Sequence, residues 1–99
     1  MNELLNKTPS DLAELRLELA DSYAKAGEIK VGLMRLHAVY YESFRKDHKS
    51  DASLERSWEL TADGLNLMEI KEKMKSIEHK LSAIRTLLDV KNFEARNLY

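Results

Sequence analysis

Among its 99 residues the chain has no cysteine, one proline and three glycines. Without cysteine there is no disulfide, no thiol nucleophile and no cysteine-ligated zinc or iron–sulfur centre. So little proline and glycine leaves few places to turn, so a few long elements are expected rather than many short ones. No run approaches the ~18 apolar residues of a membrane span, and residues 1–7 hold no apolar core of signal-peptide length. A formal net charge of −1 gives no general attraction to nucleic acid or to anionic membranes. Gly-rich phosphate loops and nucleophile elbows are missing too, and His37, His48 and His79 are too scattered for a ligand motif. No catalytic residue, metal or cofactor is therefore expected, and enzymatic activity is not. What is present is 43% hydrophobic and 33% charged residues, the balance of a folded, soluble protein. At this length one domain over residues 1–99 is expected, and the lack of cysteine fits the cytoplasm.

The richest signal lies between Leu12 and Tyr40, where one helix-length stretch carries two apolar stripes. Leu12, Leu15, Leu19, Ser22, Ala26, Ile29, Leu33, Leu36 and Tyr40 step 3-4-3-4, the seam of a heptad repeat. Ala13, Leu17, Ala20, Ala24, Gly27, Val31, Met34, Ala38 and Tyr41 form the second stripe, roughly 150° away at ~100° per residue. A helix that is apolar on two nearly opposite sides needs partners on both. Thr8 as N-cap, Pro9 at the first helical position and Asp11 at the capping-box position start this helix. The periodicity carries it over about residues 8–46. Gly27, on the small-residue stripe, suits close helix packing.

Residues 46–53 are the only polar stretch long enough to reverse the chain, with Asp51 or Ser53 as the next cap. A second helix then spans about residues 52–96. Its seam is Leu60, Leu67, Ile70, Met74, Ile77, Leu81, Ile84, Leu88, Ala95 and Leu98, while Leu54, Trp58, Thr61, Leu65 and Met68 sit on a shifted stripe. The register slips near Asp63–Gly64, which is read as a stutter in one distorted helix. Residues 1–29 are net acidic, 30–49 basic, 50–70 acidic and 71–99 basic. Folding back at 46–53 sets opposite signs side by side, which favours an antiparallel two-helix hairpin. A lone hairpin leaves the second stripe wet, so the expected fold is all-α, a hairpin assembling into a homo-oligomeric bundle. The partner along Ala13 to Tyr41 is then another copy, in a dimer or tetramer.

Near the turn, Tyr40, Tyr41 and Phe44 neighbour Arg45, Lys46 and Lys49. Aromatics beside cations can stack on bases and hold phosphates, so Tyr41, Arg45, Lys46 and Lys49 are the candidate contacts to single-stranded nucleic acid. The plainer reading has the aromatics capping the bundle end and the cations meeting a helix C-terminus. Glu14, Glu18 and Asp21 share a face, but no Glu-x-x-His accompanies them, so they answer the basic second helix rather than hold a metal.

The closing segment from Lys80-Leu-Ser-Ala-Ile-Arg to Ala-Arg-Asn-Leu-Tyr99 resembles the C-terminal helix of short helical proteins from tailed-phage early or recombination regions. The resemblance is one of overall character and transfers no functional residue. It implies a small non-catalytic accessory protein beside DNA-processing machinery. The function expected is protein–protein interaction with itself and with a host or phage protein, with nucleic acid as the alternative partner and no membrane.

Overall fold

The computed structural model describes residues 2–97, with side chains over 4–96. In chain order they form α1 (Asn2–Leu5), α2 (Pro9–Phe44), a 3-10 turn (Arg45–Asp47), α3 (Asp51–Glu59) and α4 (Ala62–Asn97). No strand occurs among the described residues, and no helix there is long and apolar enough to cross a membrane.

α2 starts where its cap chemistry places it. The Asp11 amide donates to Thr8 Oγ1 at 3.2 Å and the Leu12 amide to the Thr8 carbonyl at 3.0 Å. It ends at Phe44 rather than at 46, because the chain tightens into the 3-10 turn there. Ser50, not Asp51 or Ser53, caps α3: its hydroxyl accepts from the Ser53 amide at 3.1 Å. The Ser53 hydroxyl instead meets His48 Nδ1 at 2.9 Å.

The single distorted second helix is corrected to two helices, and the break falls before Asp63. Thr61 makes it. Its hydroxyl donates to the Trp58 carbonyl at 2.6 Å and accepts from the Gly64 amide at 2.9 Å, closing α3 and capping α4 at once. The turn is so tight that a Cβ on Gly64 would lie 2.0 Å from the Trp58 carbonyl oxygen, so only glycine fits. Leu60, expected in the seam, falls in this break and is 83% exposed.

The chain divides into two units, residues 1–24 with 75–99, and residues 25–74. In the second, Ala26, Leu33, Trp58, Leu67 and Ile70 form a buried cluster with Tyr40 and Met74 packed against it. Leu54 is buried too. The first stripe is rotated here: Ile29 and Leu36, expected in the core, are 54% and 46% exposed, while Lys30 and His37 are half-buried. Trp58 explains the rotation, because its ring draws the His37 ring to 4.8 Å and the Tyr40 ring to 5.4 Å. In the first unit the buried side chains are Leu12, Ile77 and Ile84, and the Tyr23 hydroxyl donates to Glu78 Oε1 at 2.6 Å.

Candidate interaction surface

The second stripe stands open on the chain. Ala13, Leu17, Ala20, Ala24, Val31, Met34 and Ala38 are exposed, Leu17 by 73%, while Gly27 and Tyr41 are half-buried. A Cβ on Gly27 would meet Met74 Cε at 3.9 Å, ordinary contact, so the neighbouring helix does not demand a glycine there. Gly32 has open space beside it.

Three of the four residues proposed to contact nucleic acid come together. Tyr41, Arg45 and Lys46 line one recess of about 490 Å³ with Ala38 and Glu42. Lys49 is exposed and does not line it. The tyrosine is already engaged, since its hydroxyl donates to Glu55 Oε2 and its ring meets His37 edge-on at 4.7 Å.

Glu55 was not picked out from sequence, and it organises the α2–α3 contact. It accepts from Tyr41 and lies 2.9 Å from His37 Nε2, while Tyr40 and Ser57 share a hydroxyl–hydroxyl bond alongside. The Tyr41 bond holds the Glu55 carboxyl below its ordinary range, aided by His37 and against a desolvation penalty. The same bond pushes the Tyr41 hydroxyl up to about 12. In the first unit Glu78 likewise raises Tyr23 by accepting a hydrogen bond from its hydroxyl. The signal in the sequence was a histidine and two tyrosines at i, i+3 and i+4 facing a Glu-x-Ser-Trp segment, which becomes a site only when α3 turns back.

A further feature in the first unit is a shallow cleft of about 360 Å³, floored by Ala20 and Leu81 and flanked by Arg16, Ser82 and Arg85. No ion pair engages either guanidinium among the described residues. Among those residues no three His, Asp or Glu side chains group as metal ligands. The chain matches no known protein family, no curated protein and no solved structure.

Proposed function

We propose that the chain is an antiparallel helical hairpin that self-associates in the cytoplasm and works without catalysis, binding other proteins as an adaptor or modulator. The carrying observation is exposure: thirteen large apolar side chains are open among the described residues, against nine buried apolar ones. Large side chains gain roughly 1.5–3 kcal/mol each when fully buried, so covering even a few gives association a strong drive. The hairpin is supported within the second unit by His37 and Tyr41 reaching Glu55, Tyr40 reaching Ser57, and Gly27 lying by Met74. Earlier positions of α2 thus meet later positions downstream. Within the first unit Tyr23 reaching Glu78 supports the same direction. Self-association uses the second stripe, with Leu17, Val31 and Met34 as its large members. An accessory role beside phage DNA-processing machinery suits the resemblance of residues 80–99.

The recess of Tyr41, Arg45 and Lys46 favours a second reading, binding of single-stranded nucleic acid. Glu42 in its wall and Glu55 on the tyrosine weigh against it. Light scattering across concentrations, with and without a single-stranded oligonucleotide at low salt, separates the two. The expected result is a mass that climbs to a dimer or tetramer and ignores the oligonucleotide. A constant monomer mass overturns the self-association; a salt-sensitive oligonucleotide complex supports the second reading instead.

A further inference from the structure

We propose that the cleft between Arg16 and Arg85 binds a phosphate monoester carried on an apolar body. The guanidinium groups hold the phosphoryl oxygens, and Ala20 and Leu81 take the apolar part. The whole site lies within the first unit: Arg16 and Ala20 come from α2, and Leu81, Ser82 and Arg85 from α4. Binding here goes beyond self-association and does not rest on it. Ala20 is the one cleft residue on the second stripe, while Leu17, that stripe's large member in this unit, lies about 100° round α2 from Arg16.

The charges do not follow the pattern of two helices that merely answer each other. Between residues 9 and 24 α2 carries four acids and one cation, and it is the cation that shares a cleft with Arg85. Asp11, Glu14, Glu18 and Asp21 lie about 140–160° round the helix from Arg16. On α4 two acids lie near the line of Arg85. Glu78 already accepts from Tyr23, and Asp89, one turn beyond Arg85, makes no ion pair with it among the described residues. Two guanidinium groups left without a counter-ion on one cleft match a dianion, and a phosphate monoester carries about −1.5 to −2 at neutral pH. Guanidinium forks fit phosphoryl oxygens bidentately. Ser82, three residues before Arg85 on the same side of α4, adds a hydroxyl donor. A carboxylate would occupy only one of the two forks. A nucleic-acid strand needs a track of cations, but Lys80 and Lys91 lie about 120–140° round α4 from Arg85. At about 360 Å³ the cleft exceeds what a phosphoryl group alone fills, and its floor is aliphatic, so an ester's organic part has a place to lie.

NMR titration of the full chain, read at the Arg16 and Arg85 side-chain Nε–H groups, tests this with phenyl phosphate, inorganic phosphate and benzoate. Phenyl phosphate should give saturable shifts at both arginines and at the Ala20 and Ser82 amides, about three- to tenfold tighter than either other probe. Arg16→Gln and Arg85→Gln should each weaken phenyl phosphate about three- to tenfold. Both side chains are exposed, so neither change touches the buried core. Arg35, exposed in the other unit, is the control. Shifts that do not saturate, or that are as large at Arg35, overturn the site. Equal affinity for inorganic and phenyl phosphate overturns the ester and leaves free phosphate as the ligand. Benzoate as tight as phenyl phosphate overturns the dianion. Light scattering on the same samples keeps the two readings apart: saturable binding by a chain of constant monomer mass removes self-association and leaves the cleft standing.

Discussion

In the second unit three polar side chains of α2 are tied to α3, Tyr40 to Ser57 and both His37 and Tyr41 to Glu55, over a buried cluster that includes Trp58. In the first unit the Tyr23 hydroxyl is tied to Glu78 beside the buried Leu12, Ile77 and Ile84. Apolar burial is non-directional, whereas each of these polar ties fixes a register, since a slip would strand both partners. The second unit therefore specifies its own pairing. The first rests on aliphatic burial, with no aromatic ring in its buried set among the described residues.

Removing the aromatic wedge should break this contrast most deeply. Trp58→Ala takes away the largest buried side chain of the second unit and should cost about 3–5 kcal/mol. Ile84→Ala in the first unit should cost about 2–4 kcal/mol. Hydrogen exchange distinguishes them: Trp58→Ala should lose protection across residues 25–74, and Ile84→Ala at 9–24 and 75–96. Protection lost evenly along the chain in both variants would mean that the units unfold as one and the contrast has no energetic content.

Two glycines sharpen the comparison at smaller scale. Gly64 faces a backbone carbonyl and Gly32 faces nothing. Gly64→Ala forces the α3–α4 turn to open and should destabilise by about 1–3 kcal/mol, the usual cost of forced overpacking. Gly32→Ala should stabilise by about 0.5–1 kcal/mol, because it supplies helix propensity at no steric cost. Denaturant midpoints give both signs at once. A stability loss at Gly32 larger than at Gly64 would mean that Gly32 is covered by something the single chain does not contain.

The parts of this fold legible in the sequence were those fixed locally. Thr8-Pro9 and the heptad steps carry α2 because caps and periodicity act within a few residues. The α3–α4 break was visible as a slipped stripe but misplaced, since Asp63–Gly64 drew attention and the actor is Thr61, whose hydroxyl bridges Trp58 and Gly64. The rotation of the core past Ile29 and Leu36 was hidden because a histidine looks like solvent-facing filler. His37 joins the interior only once Trp58 and Glu55 arrive from eighteen or so residues away. The apolar stripe from Ala13 to Tyr41 was readable by spacing alone. Its cationic flank was not, because Arg85 joins Arg16 only in three dimensions.

The smallest expected effect lies at the Tyr41–Glu55 bond, and its pH signature is two-sided. Glu55 is held below its ordinary pKa, so its stabilisation is present above about 4.5 and fades as pH falls through the lower, folded value. Tyr41 is raised from 10.0 to about 12, so its stabilisation is full below pH 10 and disappears as pH climbs through that interval. Both groups are half-buried and still reached by solvent, so screening keeps each effect modest. Trp58 is the only tryptophan and stacks on His37, which itself contacts Tyr41, so its emission reports on this contact. Denaturant midpoints followed at Trp58 should fall between pH 10 and 12 in the unmodified chain. Tyr41→Phe should lower the plateau at neutral pH and remove the part of the alkaline decline owed to this hydroxyl. An undiminished decline in Tyr41→Phe would move its origin away from this bond, and Tyr23 on Glu78 in the first unit is the next hydroxyl to test.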